Sequence, residues 1–347
     1  MRYFFDDRGP SPFAKALRHL LPAKGDPFNA SVIAGDQGDL DSELILRAAV
    51  GPLGVSTTDS AALAALRQAS DIFIAKVRPQ TVWGRMINRA RQIPFRTQVS
   101  RGDGADVDVY WNDEASPHGV SRLAFSRAAG LDPKTLTAIV VITKDVVKIG
   151  GALAENAIDT ELSGAVAAGI DRSFIDPTNA GSTAEPPSIL YGVQGLTSSN
   201  DPNTDFEVMI GHFSGNLVAA AWVMSAKLAA RLNLMRDSGG ASSFPDVGAD
   251  GGRIAGIPVL TSDSITDDTA GTVVALIDQS AVLYADDGVR LDVANQATIQ
   301  INDAPVTDAT AAPTSLWQMN YLAVRVQHTV NWERARDGSV VWMEVTY

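Results

Sequence analysis

The sequence predicts an α+β fold, and three observations carry that expectation. A helical pattern runs from Asn156 to Pro177, "NAIDTELSGAVAAGIDRSFIDP", where Ile158, Leu162, Val166, Ile170 and Phe174 are spaced by four into one oblique apolar ridge. A period of two appears after Arg101, where "ADVDVYW" alternates Val107, Val109 and Trp111 against Asp106, Asp108 and Tyr110. Strand and helix patterns then alternate from about residue 203 to residue 315. The chain has 347 residues and is 45% hydrophobic, ample for a core. One core seldom grows past about 250–300 residues, so two lobes are expected.

The first sixty residues are punctuated by proline and glycine, and only "PFAKALRHLL" and "DLDSELILRAAV" read as helices. Such a segment buries little of its own surface and needs something to lie on. "DSAALAALRQA" is a third helix candidate, with Ser60 as its cap. The alternating segment after Arg101 runs through a polar loop, "NDEASPHGVS", to the strands "RLAFSRAAG" and "KTLTAIVVIT". This is a long two-stranded excursion without a core, and an isolated hairpin is marginal in water.

The helix that follows carries Gly164 and Gly169, each costing about 1 kcal/mol against alanine. Close approach by another backbone is one reading of that cost, and tolerated imperfection is the other. Asp176 precedes Pro177, which ends the helix there. Further on, "NLVAAAWVMS" reads as a buried strand ending at a capping Ser225, and "AKLAARLNLMRD" as an amphipathic helix. "SGGASSFPDVGADGGR" reads as a flexible loop, and "IAGIPVLTSDSI" and "TVVALIDQSAVLYADDGVRLDV" as strands and turns. "SLWQMNYLAVRVQHTVNW" and "SVVWMEVT", joined by Asp337-Gly338, read as a terminal hairpin.

Composition excludes several kinds of chemistry. There is no cysteine, hence no disulfide and no thiolate metal site. No apolar run reaches the ~20 residues of a membrane span, and the N-terminus lacks a signal-peptide core, so a soluble protein of a reducing compartment is expected. His19, His118, His212 and His328 have no metal or triad partner at a recognisable spacing. The glycine-rich stretches lack GxxxxGK[ST] and GxGxxG, which favours a mobile loop over a phosphate site. "RGDGADVDVYWND" lacks the sixth-position glycine and distal glutamate of a calcium loop. Trp222, Trp317 and Trp332 sit in strand-like segments and read as core. No catalytic residue, cofactor or metal ligand is assigned.

The net charge of −12 is uneven. Residues 1–101 hold 14 Lys and Arg against 9 Asp and Glu, a net +5, while residues 102–347 hold 14 against 31, a net −17. Most of the positive charge lies between Arg67 and Arg101. A basic arm beside an acidic body either touches nucleic acid, lies across another copy, or is a solvated face. Together these features describe a subunit that finishes folding against its neighbours.

In this order, the elements resemble a major capsid protein of tailed bacteriophages with the Hong Kong phage-type capsid fold. "ALRQASDIFIAKVRPQ" resembles the family's lead-in. "VDVYWNDEASPHGVSRLAFSRAAGLDPKTLTAIVVITKDVV" resembles its extended loop and the strand after it, with "TKDVV" in place of a polar turn. Residues 156–177 resemble the spine helix, and "PPSILYGVQGL" the loop beyond it. "AAWVMSAKLAARLNLMRDSGG", "GRIAGIPVLTSDSI" and "VVALIDQSAVLYADDG" are similar to the axial domain, and "YLAVRVQHTVNWERARDGSVVWMEV" to the closing strands. The likeness covers about residues 60–347.

The resemblance implies an N-terminal arm and lead-in (1–95), an extended loop with the strand after it (96–142), a peripheral domain with the spine helix (143–202), an axial domain (203–315) and strands closing back on the peripheral domain (316–347). It implies self-assembly into pentamers and hexamers of an icosahedral head around double-stranded DNA, without sequence-specific binding, enzymatic activity or membrane contact. Portal, scaffolding and decoration proteins are the implied partners, with a virion location and assembly in the bacterial cytoplasm. The residues expected at contacts between subunits are Arg78, Arg85, Arg89, Arg91, Trp111, Glu114, His118, Arg122, Gly164 and Gly169. An acidic shell disfavours gripping phosphate, so the arginines are assigned to neighbouring subunits in preference to DNA.

Some relatives crosslink a loop lysine to an asparagine. Here the loop tip "NDEASPHGVSR" has no lysine, Lys134 lies on the return strand, and "TDATAAPTS" has no asparagine, so no crosslinking is expected. The charged scaffolding helix that opens many relatives is also missing, which points to a separate or removed scaffold. An encapsulin shell around a protein cargo and an α/β enzyme or ligand-binding protein are the rival readings.

Overall fold

The computed structural model describes residues 27–40, 73–97, 100–102, 125–127, 130–237, 239–267, 271–294, 296–301, 313–336 and 338–347, with isolated positions between 15 and 46. The chain divides into two compact units. One takes Met1–Val77, Leu136–Ala167 and Gly288–His328, and the other Arg78–Thr135, Ala168–Asp287 and Thr329–Tyr347.

Near the N-terminus a helix, α1 (Pro27–Asp36), stands where the sequence reads as irregular. Proline is at home in a first helical turn, where its missing N–H would have no partner, so Pro27 opens this helix instead of breaking it. Ala30, Ser31 and Ala34 are its buried face. Asp39 then accepts hydrogen bonds from the backbone N–H of Ser42 (3.2 Å) and from its hydroxyl (2.7 Å), the expected opening of the next helical stretch.

After helical residues 73–77 and a 3₁₀ turn (Arg78–Gln80) come α2 (Val82–Met86), β1 (Arg91–Gln92), β2 (Ser100–Gly102) and β3 (Phe125–Arg127). β2 and β3 pair antiparallel, Ser100 opposite Arg127 and Gly102 opposite Phe125. These are the foot of the expected excursion, and its tip lies outside the described residues. β4 (Thr135–Thr143) passes directly into α3 (Lys144–Ile175).

α3 has 32 residues, a length of about 48 Å. It begins twelve residues before the helix read from the sequence, because in "TKDVV" Thr143 ends β4 and Lys144–Val147 make the first helical turn, with no connector between. The ridge from Ile158 to Phe174 is buried throughout. The helix ends where Pro177 requires, and Asp176 turns the chain by accepting from the Thr178 N–H at 2.9 Å and its hydroxyl at 2.7 Å.

The unit containing residues 168–287 is built on a seven-stranded sheet, ordered β5-β15-β10-β6-β9-β8-β7. Its strands are β5 (Leu196–Thr197), β6 (Ala220–Ser225), β7 (Val247–Gly248), β8 (Gly251–Ile254), β9 (Ile257–Ser262), β10 (Thr272–Asp278) and β15 (Val340–Val345). β6 runs antiparallel to β10 and parallel to β9. The helices α4 (Pro202–His212) and α5 (Ala226–Leu234) supply Phe206, Met209, Leu228 and Leu232 to a core with Trp222, Met224, Val259, Leu276 and Met343. Ser225 closes β6 and caps α5 by accepting from the Leu228 N–H at 3.1 Å, as its sequence position indicates.

A four-stranded sheet has the order β1-β11-β14-β4, with β11 spanning Val282–Ala294 and β14 Tyr321–Arg334. The two-stranded pair β12 (Thr298–Ile299) and β13 (Thr314–Ser315) completes the strands.

Two readings need correction here. β14 and β15 do not form the expected terminal hairpin. They belong to different sheets, and β15 pairs with β10 from Thr272↔Val345 to Ile277↔Val340. A turn at Gly338 (φ 79°) fits either outcome, and the partner strands decide. The glycine-rich loop is also more ordered than expected, since "DVGADGGR" makes the edge pair β7–β8. Gly252 sits there at φ +140°, and a Cβ would collide with the Asp246 carbonyl oxygen. Gly252→Ala is expected to cost more than about 2 kcal/mol by urea denaturation.

Candidate assembly surfaces

The described part of the basic segment is tied down at one end by a buried carboxylate. Thr81 caps α2, its hydroxyl accepting from the Gly84 N–H at 2.8 Å. Asp171, on α3 and 1% exposed, accepts from the Val82 N–H at 2.8 and 3.1 Å and from the Trp83 N–H at 3.4 Å. One acidic side chain thus fills the N-terminal end of this short helix. Trp83 turns into an aromatic cluster, edge-on to Tyr284 at 6.0 Å and 6.5 Å from Trp332, which meets Phe174 at 5.2 Å.

Burial pushes the Asp171 carboxyl above its ordinary pKa, opposed by hydrogen bonds from Ser262, Val82 and Trp83 and by the Arg85 charge. Burial also pulls the Arg85 guanidinium below its ordinary value, opposed by Asp171. Arg85 is half-buried; its Nε donates to the Thr81 carbonyl at 3.2 Å and its Nη2 to the Thr261 carbonyl. Its cation is therefore committed within its own subunit, and charge reversal there reports on folding as well as on assembly.

The other arginines differ. Arg89 is exposed and donates to the Val218 carbonyl at 3.0 Å. Arg91 is exposed on β1, opposite Leu283 in a parallel pair. Arg78 is exposed and 3.9 Å from Asp286, the outer limit of an ion pair. Arg89 and Arg91 thus present charge to solvent, and Arg78 presents part of its own.

Of the remaining contact candidates, Trp111, Glu114, His118 and Arg122 lie outside the described residues. A Cβ placed on Gly164 would meet nothing within 4 Å, so among the described residues no part of this chain makes the close approach that would require a glycine there. Gly169 is half-buried on α3. Trp317 is 70% exposed in the turn between β13 and β14 and is not the core residue its sequence suggests, whereas Trp222 and Trp332 are buried as expected. Exposed Met319 follows it, and Asn320 closes the turn at φ 56°.

Among the described residues no group of His, Asp and Glu could hold a metal, and no helix is long and apolar enough to cross a membrane. What the geometry offers is surface: exposed arginines, the foot of an extended hairpin, and apolar side chains turned to solvent.

Comparison with known proteins gives these surfaces a context. The chain is 33% identical over 290 residues to a "Capsid polyprotein" of Pseudomonas phage PAJU2, covering 78% of this chain. It spans 43% of that relative's length. A solved chain from Mycobacterium phage Ogopogo matches with a TM-score of 0.53 at 16% identity, over 77% of this chain and 92% of that one. A chain from Gordonia phage Cozz matches at 0.52 and 17% identity, over 76% and 86%. The capsid of a native GTA particle computed with C5 symmetry matches at 0.51 and 13% identity, over 78% and 91%. These likenesses give the Hong Kong phage-type capsid fold, an α+β architecture. The phage capsid family itself matches residues 85–304. The chain belongs to the phage capsid family.

Proposed function

We propose that the chain is the repeating structural subunit of a tailed-phage head, forming pentamers and hexamers that close into an icosahedral shell around double-stranded DNA. The observation that carries this reading is the match of residues 85–304 to the phage capsid family, beside 33% identity to a phage capsid polyprotein. Heterologous contacts close into rings when each subunit presents two different complementary surfaces. The exposed arginines and the acidic remainder of the chain are one such pair.

In this reading residues 96–142 lie over an adjacent subunit and residues 1–95 reach across others. Residues 143–202 with 316–347 form the peripheral part, and 203–315 the axial part. Portal, scaffolding and decoration proteins complete the particle, which assembles in the host cytoplasm.

Electron microscopy and sedimentation of the purified chain test the proposal. Closed shells are the expected result from the purified chain, and particles isolated from the producing cells should hold nuclease-resistant double-stranded DNA. Shells filled with protein cargo would indicate a nanocompartment, and a compact monomer would overturn the reading. Raising salt from 0.1 to 1 M shortens the Debye length from about 10 to 3 Å and should lower capsomer yield. Denatured particles should run as single chains on a gel, and a covalent ladder would contradict the absence of crosslinking.

A further inference from the structure

The chain leaves the body for its excursion at Arg96 and comes back at Gly130, and the two limbs cross in contact. The Arg96 N–H donates to the Leu131 carbonyl at 2.9 Å. A Cβ on Gly130 would stand 2.7 Å from the Arg96 carbonyl carbon and 2.9 Å from its Cα, backbone that cannot swing aside, so only glycine lets the limbs lie this close. Arg96 itself stands at φ 58°, a region that residues other than glycine rarely enter and keep only where the surroundings over-determine it. Each limb is also bolted to the body. On the outgoing limb the Ile93 N–H donates to the Tyr284 carbonyl at 2.8 Å, and buried Ile93 shares a core cluster with Leu131, Leu283 and Ala285. On the returning limb the Asp132 carbonyl accepts from the Asn331 side-chain amide at 2.7 Å, and the Lys134 carbonyl from the Val330 N–H at 2.9 Å. The Lys134 ammonium donates to the Ser182 and Thr183 carbonyls at 2.9 and 2.8 Å.

We propose that residues 93–97 and 130–134 form a fixed mount, which sets the direction of β2 and β3 in the free subunit, before it meets a neighbour. A hinge needs a few residues free to change φ and ψ. At this root the crossing locks Arg96 and Gly130, and the residues on either side have their backbone groups engaged with the body. Swinging β2 and β3 about the root would break the crossing, the hydrogen bonds and the buried Ile93–Leu131 contact together. An element held in one direction on folding has already given up the freedom that a hinged one loses on binding, so it binds with less ordering cost. The use of such a mount in assembly rests on the shell function above, whereas the mount itself is a property of the single chain.

The chain has no cysteine, so spin labels attach only where one is introduced. Pulsed electron-resonance distances between Ser126→Cys on β3 and Glu207→Cys, exposed on α4, test the mount in unassembled chains. A pair within the body, Glu207→Cys with the exposed Lys227→Cys on α5, gives the width that the labels alone contribute. The β3 pair should give a single peak about as narrow as the body pair. Gly130→Ala should broaden the β3 pair about twofold and leave the body pair unchanged, because the added Cβ forces the limbs apart. Lys134→Met removes only the ammonium anchor, should melt like the wild type and should broaden the β3 pair by less. If Gly130→Ala does not fold, Lys134→Met and the wild-type width decide. A wild-type β3 pair far broader than the body pair would overturn the inference, as would folded variants that keep it narrow. Shells built from subunits with a broad β3 pair sink the mount alone, whereas wild-type protein that never assembles but keeps a narrow pair removes the shell function and leaves the mount standing.

Discussion

Asp171→Ala should destabilise the unassembled subunit by about 3 kcal/mol, read as a lowered urea midpoint at unchanged slope. Removing the carboxylate leaves the Val82 and Trp83 N–H groups without their acceptor and Arg85 without its counter-charge. A buried donor stripped of its partner costs about 1–3 kcal/mol, and two are stripped here. The lost charge beside Arg85 adds little, because Arg85 is half-buried and keeps its two carbonyl acceptors. Asp171→Asn retains an acceptor oxygen and should recover more than half of the loss. Equal losses in the two variants would mean that the charge, and not the hydrogen bonds to α2, is what matters.

The pH dependence has a definite sign. Burial raises the Asp171 pKa in the folded chain, so the folded state binds more protons than the unfolded state between the two values. This group's contribution is fully present below the unfolded carboxylate pKa of about 3.9 and is lost as pH rises through the folded value. The decline is at most about 1.4 kcal/mol per pH unit. The difference in unfolding free energy between wild type and Asp171→Asn, plotted against pH, isolates it. Wild type should lose ground to the variant as pH rises through that window, and a flat difference would place the carboxyl at its ordinary value.

What the sequence disclosed depended on how local each signal was. The ridge of α3 and the Ser225 cap were legible because period and capping are set by residues within a few positions of one another. The start of α3 was hidden by Gly150-Gly151, which interrupt the apolar period without ending the helix. The fate of β14 and β15 was not legible, because a strand's partner is a non-local fact and β15 pairs with β10, nearly seventy residues earlier. Trp317 looked like core because aromatic residues are common in strands, yet it sits in the turn that precedes one.

The Asp171 clamp was the least visible feature. Its partners stand 88 and 89 residues away, and "DRS", between the ridge residues Ile170 and Phe174, by itself looks like the polar side of a helix. For the same reason Arg85 counted as one more charge in a basic arm. The family resemblance, which draws on the order of many weak stretches, reached further than any single spacing did.

The double charge reversal Arg89→Glu with Arg91→Glu should abolish capsomer formation at 0.1 M salt while leaving the subunit folded. Both side chains are exposed, and neither is among the groups around Asp171, so stability should stay within about 1 kcal/mol of wild type, the lost hydrogen bond from Arg89 to the Val218 carbonyl included. A single exposed ion pair contributes only about 0.2–1 kcal/mol. Assembly multiplies that small term, because every subunit in a ring repeats it, and reversal replaces attraction by repulsion against an acidic body carrying a net −17 over residues 102–347. Even about 0.5 kcal/mol lost and a similar repulsion gained at each of six contacts amounts to about 6 kcal/mol per hexamer. That corresponds to more than four decades in the assembly constant, at 1.4 kcal/mol per decade. High salt should partly restore assembly of the variant while weakening that of the wild type, because screening removes repulsion in one and attraction in the other. Normal capsomers from the double variant at low salt would show that these arginines face solvent or DNA, and would return the basic segment to its solvated or nucleic-acid reading.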